Sequence, residues 1–301
     1  MKIAIIHDWL TGMRGGEKCL EVLCKLYPSA DIFTLLHIPG KVSPVIESHR
    51  IHTSFIQNLP FAESKYRYYL PLMPSAIEAF DLKEYDLILS SSHCVAKSVK
   101  PGPSSMHICY CHTPMRYIWD QFDQYFGKGK SSWFAATAMK FIRGWLQRWD
   151  VKTSRRVNHF IANSRHVQKR IKKYYNQEAA IIHPPVDTGL FTPDTNEEKE
   201  NYFLIVSAFA PYKRLDLAVN AFNQLNLPFF VIGEGQDAKR LKEMAKTNIH
   251  FEGWLDNSQI RSHFARCRAF VFCGEEDFGI TLLEAQAMGR PVIALGRGGA
   301  L

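Results

Sequence analysis

Ala269-Phe270-Val271-Phe272-Cys273-Gly274-Glu275-Glu276-Asp277-Phe278-Gly279-Ile280-Thr281-Leu282-Leu283-Glu284 runs from an unbroken apolar stretch through an acidic, glycine-bearing loop into a second apolar segment. The first stretch is short, aromatic and β-branched, and reads as a strand buried on both faces. Thr281 to Met288 reads as a short helix, with Gly289 as its stop signal and Pro291 just beyond. Val292 to Leu295 is the next strand. The order strand, acidic loop, helix, strand predicts a parallel α/β sheet.

In such a sheet the loop at a strand's carboxyl end is where ligands bind. A helix starting there turns free N–H groups and a positive dipole end toward the ligand, which suits a diphosphate. Gly279 permits close approach of a ligand to the backbone, and Glu276 and Glu284 are placed to accept from neighbouring hydroxyls. The competing reading is that a Glu in the first turns of a helix only complements the dipole.

The same alternation recurs along the 301 residues, enough for two domains. Lys2 to Ile6 is a strand; Gly15-Gly16 lies in the following loop; a helix runs from about Glu17 to Leu26. The spacing is not Gly-x-Gly-x-x-Gly, so the dinucleotide fingerprint is absent. Further strands are expected at Asp31–Leu36, Tyr85–His93, His107–Cys111 and Asn158–Ser164, with residues 37–80 irregular apart from a helix starting near Lys65. His107–Cys111 delivers His112 and Arg116 to the same edge. Two readings of His112 compete, a site residue and a histidine satisfying a local carbonyl. After the linker-like His183–Asn201, alternation restarts with strands at Tyr202–Val206, Phe229–Ile232 and Asn248–Phe251, and Ser258 is expected to cap a helix. The predicted domains are residues 1–190 and 191–301, two Rossmann-like units facing across a cleft.

The net charge of +8 is local: residues 128–173 carry 13 basic residues against Asp150 alone, interleaved with Trp133, Phe134, Phe141, Trp145 and Trp149. That mixture suits anionic lipid head groups better than nucleic acid, for which no recognition motif accompanies the charge. A solvated, partly core-facing helix is the plainer alternative. The seven cysteines include no Cys-x-x-Cys pair and fall mostly in apolar segments, as reduced buried thiols do. No signal peptide is expected, since the Met1–Ile6 apolar run stops at His7-Asp8.

In combination, Arg14-Gly15-Gly16-Glu17, Pro184-Pro185-Val186-Asp187, Tyr212-Lys213-Arg214, Gly233-x-Gly235, Phe251-x-Gly253 and the Glu276-x7-Glu284 pair resemble the family 4 retaining glycosyltransferases of the GT-B type. The span Cys109-Tyr110-Cys111-His112-Thr113-Pro114-Met115-Arg116-Tyr117-Ile118-Trp119-Asp120 is similar to the mannosyltransferase branch that builds O-antigen and exopolysaccharide. The resemblance implies a nucleotide-sugar donor, GDP-mannose above all, a lipid-linked saccharide acceptor, and work at the inner face of the cytoplasmic membrane. Lys213 and Arg214 would face the donor diphosphate; Gly15, Gly16, Phe278, Gly279 and Ile280 would offer backbone amides; Glu276 would hold the transferred sugar and Glu284 the ribose. Trp254-Leu255 would lie near the base, and His112 beside the anomeric carbon. No metal or other cofactor is implied, and the chain lacks Asp-x-Asp.

The chain departs from the family pattern at Ala208, where many members carry an arginine five residues before the lysine. It also stops at Leu301, before the closing elements of full-length relatives, so the second domain is expected to be incomplete. Alternatives to a GDP-mannose transferase are a UDP- or ADP-sugar transferase of the same fold, a truncated non-catalytic membrane-surface protein, and a sugar-nucleotide epimerase.

Overall fold

Two parallel sheets, each with its own helices, make up the chain in a computed structural model that describes residues 1–122, 133–193 and 197–301. The two compact units are Met1–Pro185 and Val186–Leu301. In the first, seven strands are β1 (Ile3–His7), β2 (Asp31–Thr34), β3 (Ile51–Thr53), β4 (Leu87–Ser92), β5 (Met106–Cys111), β6 (His159–Ala162) and β7 (Ala179–Ile181), in the order β3-β2-β1-β4-β5-β6-β7. The second has β8 (Phe203–Val206), β9 (Phe229–Ile232), β10 (Ile249–Gly253), β11 (Ala269–Phe272) and β12 (Val292–Ala294), in the order β10-β9-β8-β11-β12. Every strand pair is parallel.

The central strands β1, β4 and β11 are buried on both faces, which is why they read as continuous runs with no polar alternation. Alternation is still present in what each side chain touches. Ala4, Ile6 and Ile88 join one layer of core, while Ile3, Ile5 and Leu89 join the opposite one. In the second sheet Leu204, Ile232 and Phe270 face one way, and Ile205, Val231 and Val271 the other. Each sheet reverses its strand order at one place, β1/β4 in the first and β8/β11 in the second. These switch points are where adjacent connecting loops part and leave a crevice at the carboxyl ends of the strands.

Several local expectations are corrected. Residues 37–80 hold an edge strand, β3, and several short helical turns, so the Pro-rich composition disguised a paired segment. The helix expected near Lys65 is largely a 3₁₀ segment, Tyr66–Leu72, with Pro71 inside it. Asp256 rather than Ser258 caps the helix Asn257–Arg266, accepting from the amides of Ser258 and Gln259. Aspartate's carboxylate at that position captures two amides together, and Ser258 then falls inside the first turn.

All seven cysteines are unpaired, and burial pushes the thiols of Cys19, Cys24 and Cys267 up to about 12. No described helix is long and apolar enough to cross a membrane.

Candidate active site

In the first unit, β1 and β4 flank the switch point and their register sets His7 opposite Ser91. Ser91 Oγ lies 3.1 Å from His7 Nδ1 and 2.8 Å from His112 Nε2, bridging the two imidazoles. His112 follows β5 directly, and its amide donates to the Ser92 carbonyl at 2.8 Å, which continues the sheet pairing one residue further. On the far side, His7 Nε2 is 3.7 Å from Glu17 Oε1. Glu17 belongs to the helix Gly15–Leu26, and its Oε2 accepts from the Arg14 amide at 3.1 Å, closing the first turn. A Cβ at Gly16 would sit 3.6 Å from His7 Cε1 and 3.8 Å from His112 Nε2, so that glycine lies beside both rings.

Asp8, fully buried, organises the next turn. Its two oxygens accept from the amides of His93, Cys94, Val95 and Ala96 at 2.6–2.9 Å, and Oδ2 is 3.0 Å from His93 Nδ1. Burial raises its pKa, but His93, the amides and His7 outweigh that and hold the carboxyl below its usual value. The balance at Glu17 is similar: burial opposes ionisation, and His7 overcomes it. For His112, desolvation comes first, then the like charges of His93 and His7, and together they lower its pKa to about 3. The imidazole is therefore neutral at physiological pH, able to accept and donate hydrogen bonds without carrying charge.

The loop after His112 is fixed from below. Buried Arg170 donates to Thr113 Oγ1, to the Pro114 carbonyl at 3.3 Å and to Asp120 Oδ1 at 2.8 Å. Asn163 Nδ2 donates to the His112 carbonyl at 3.0 Å.

In the second unit, the same logic brings Lys213 and Glu276 together. The loop after β8 ends in the turn Pro211–Lys213, the loop after β11 carries Glu276, and the two strands flank the switch point. Lys213 Nζ and Glu276 Oε1 form an ion pair, with both side chains largely withdrawn from solvent. Gly274 allows the approach, since a Cβ there would lie 3.1 Å from the Lys213 backbone. Gly279 caps the helix Ile280–Ala287 with φ +91°, and a Cβ would meet Leu282 Cδ1 at 2.8 Å. Glu284 sits on that helix and is buried. Phe278 and Gly279 line a depression of about 250 Å³ with Leu282, Gln286 and Ala300.

Not every expected residue is turned to the same use. Arg214 adopts φ +54° ahead of the helix Leu215–Leu225, and its guanidinium binds Asp216 at 3.1 and 3.2 Å. Trp254 is 72% exposed. Gly298 and Gly299 close on the acidic loop: the Gly299 amide donates to the Glu276 carbonyl at 2.7 Å, and a Cβ at Gly299 would lie 2.4 Å from the Asp277 carbonyl oxygen.

Of the basic stretch 128–173, residues 128–132 and the side chains of 133–140, those of Trp133 and Phe134 among them, lie outside the described residues. The rest divides by face. Arg143, Arg156 and Arg170 spend their guanidinium groups on backbone carbonyls and carboxylates, and Trp149 donates to Glu78 at 3.0 Å. Trp149 is thus a core-side residue, not part of an outer aromatic set. Phe141 and Trp145 are exposed one turn apart on the helix Trp133–Ser154. Beyond them Arg148, Lys152 and Arg155 line a depression of about 490 Å³ beside Trp119.

Sequence reading passed over Ser91, Asp8 and His93 as site residues, and His7 with them. The available signal was polar residues ending two apolar strands, but only the β1/β4 register shows that they converge.

Comparison with known proteins agrees with this layout. Residues 13–190 match the family model described as Glycosyltransferase Family 4, and residues 190–301 the model described as Glycosyl transferases group 1. Escherichia coli O-antigen chain mannosyltransferase C is 33% identical over 102 residues, covering 32% of this chain and 28% of that protein. The GDP-mannose-dependent alpha-(1-6)-phosphatidylinositol monomannoside mannosyltransferase of Mycolicibacterium smegmatis is 27% identical over 167 residues, 46% of this chain and 44% of that one. The chain thus spans less than half the length of these relatives. Anabaena HepE, solved in complex with UDP, superposes with a TM-score of 0.71 at 17% identity, over 100% of this chain and 82% of its own. That likeness identifies the fold as two Rossmann-like domains of the GT-B kind.

Proposed function

Because this chain belongs to glycosyltransferase family 4, we infer that it transfers a hexose from a nucleotide sugar, mannose from GDP-mannose, to a lipid-linked saccharide with retention of configuration. The observation that carries this reading is the Lys213–Glu276 pair at the β8/β11 switch point, next to the start of the Ile280–Ala287 helix. In the ion pair the two groups neutralise each other. A donor would draw them apart, Lys213 toward the diphosphate and Glu276 toward sugar hydroxyls.

The chemistry asked of these residues is mostly electrostatic. The bond from the anomeric carbon to the diphosphate breaks, and negative charge grows on the departing oxygens. Lys213 and the amides of Phe278, Gly279 and Ile280 meet that charge as it develops, which lowers the barrier rather than only binding the ground state. The acceptor hydroxyl forms the new bond on the same face, and its proton passes to a donor phosphate oxygen. Glu284 holds the ribose diol; on the first unit, Gly15 and Gly16 offer further amides and neutral His112 a hydrogen-bonding group for a sugar hydroxyl. The work needs no metal or cofactor from the protein in this reading.

The mannosyl donor and the acceptor are supported by the Escherichia coli and Mycolicibacterium relatives as they are named. The UDP complex of HepE supports a second reading, a uridine donor in the same site. In both, the protein works at the inner face of the cytoplasmic membrane, with Phe141, Trp145, Arg148, Lys152 and Arg155 against anionic lipid.

The test is a thermal-shift screen across GDP-, UDP- and ADP-sugars, followed by transfer of labelled sugar to lipid-linked acceptor. Stabilisation by one nucleotide class that Glu284→Ala abolishes supports the reading. A chain that binds none of them and neither transfers nor hydrolyses a donor overturns it.

A further inference from the structure

We propose that Ser91 and His7 are positioning residues that hold His112 in its Nε2-protonated tautomer, leaving Nδ1 as a bare acceptor for a ligand hydroxyl. The basis is a continuous polar chain, Glu17–His7–Ser91–His112, with spacings of 3.7, 3.1 and 2.8 Å. A serine hydroxyl has one proton, so Ser91 donates to one imidazole and accepts from the other. Its two ring contacts are therefore coupled: whichever nitrogen carries a proton toward Ser91, the other must be bare.

The direction is decided at the buried end. His7 Nε2 has no hydrogen-bond partner, and the nearest opposite charge is the Glu17 carboxylate at 3.7 Å. Both side chains are almost fully buried, 0% and 5% exposed, where a charge acts with little screening. A nitrogen lone pair facing that carboxylate is repelled, and an N–H is attracted. With one proton on each ring, that of His7 sits on Nε2, and its Nδ1 accepts from Ser91. Ser91 then accepts from His112 Nε2–H. What remains on His112 is the Nδ1 lone pair, which meets no hydrogen-bond partner among the described residues.

The surroundings keep that lone pair unprotonated, because burial above all disfavours the charged ring. Gly16 contributes by omission, since its missing side chain leaves room beside both rings. A neutral, fixed acceptor orients a hydroxyl without attracting a proton from it or from solvent. That the hydroxyl belongs to a sugar rests on the transferase reading above, whereas the tautomer does not.

The test is long-range ¹H–¹⁵N correlation spectroscopy of the ring nitrogens in ¹⁵N-histidine-labelled protein at neutral pH, with His112 assigned by its absence in His112→Gln and by backbone-to-ring correlations in the unaltered protein. His112 is expected to show a protonated Nε2 and a pyridine-like Nδ1. Ser91→Ala is expected to lose that single pattern in favour of averaged tautomers, and Ser91→Thr, which keeps the hydroxyl, to retain it. An Nδ1–H tautomer or a charged ring in the unaltered protein overturns the proposal, as does a pattern in folded Ser91→Ala identical to the original. Should Ser91→Ala not fold, the unaltered protein and Ser91→Thr still decide it. Donor transfer measured on the same samples separates the two readings: the tautomer present without transfer removes the transferase alone.

Discussion

Lys97 Nζ lies 2.6 Å from Asp150 Oδ1, and neither side chain is more than 2% exposed. The second carboxylate oxygen accepts from Trp119 Nε1 at 2.8 Å and from the Tyr175 hydroxyl at 2.9 Å, while Lys97 stands 4.8 Å from the Tyr175 ring. One carboxylate thereby ties together the turn after β4, the loop after β5 and the helix Arg165–Tyr175. Removing one member leaves a buried charge unpaired, which costs far more than the pair itself contributes. Asp150→Ala should lower the free energy of unfolding by about 3–5 kcal/mol. Urea denaturation of the two proteins measures this, and a loss below 1 kcal/mol would show that water enters the site.

In the proposed transferase, Lys213 would face a charge that grows only as the donor bond breaks. Its truncation should therefore act on turnover more than on binding: Lys213→Ala is expected to reduce kcat by about 10²–10³-fold. Steady-state transfer from labelled GDP-mannose reads it. An unchanged kcat with a raised KM would assign Lys213 to ground-state binding instead.

Backbone shape at the acidic loop is as constrained as its charges. Gly279 stands at φ +91° with Leu282 and Phe272 filling the space a Cβ would need. Gly279→Ala should destabilise the protein by about 1–3 kcal/mol and weaken nucleotide affinity with it. Thermal melts with and without nucleotide check both.

His107 gives the pH dependence a definite sign. Burial lowers its pKa to about 4, below the ordinary value of 6.5, so the unfolded chain takes up the proton first. Its contribution is fully present above about pH 6.5, declines as pH falls toward 4, and is constant below that. His112 and His93 are lowered in the same direction and add to the decline. Asp8 and Glu17, held below their usual values, add a further loss only at more acid pH. His107→Gln should flatten the stability profile between pH 4 and 6 by about one proton's worth, roughly 1.4 kcal/mol per pH unit. Denaturant titrations at half-unit pH intervals would show it, and an unchanged slope would contradict the shift.

The outer face of the Trp133–Ser154 helix is open to a direct trial. Replacing Arg148, Lys152 and Arg155 with glutamine removes three outward charges while leaving Arg143 and Arg156 in their internal bonds. Sedimentation with vesicles rich in anionic lipid should fall by about 1 kcal/mol per charge removed, and the original protein should release in high salt. Equal binding to uncharged vesicles would argue against the surface.

By itself the sequence determined the two-sheet α/β plan, because buried parallel strands must be apolar throughout and leave unmistakable runs such as Ala269–Phe272 and Leu87–Leu89. It also singled out Glu276 and Gly279 in the acidic loop after an apolar run, and the family resemblance added Lys213. It was poor at short, marginal elements: β3 is three residues long and is held by its neighbour β2 rather than by its own composition. It treated Trp145 and Trp149 alike, although the two lie one turn apart on one stripe of the helix and Trp149 meets Glu78 while Trp145 is exposed. Only the tertiary structure decided that His7, Ser91 and His112, distant in the chain, share one hydrogen-bonded line. That line depends on the β1/β4 register, and a register is a property of two strands together, carried by neither alone.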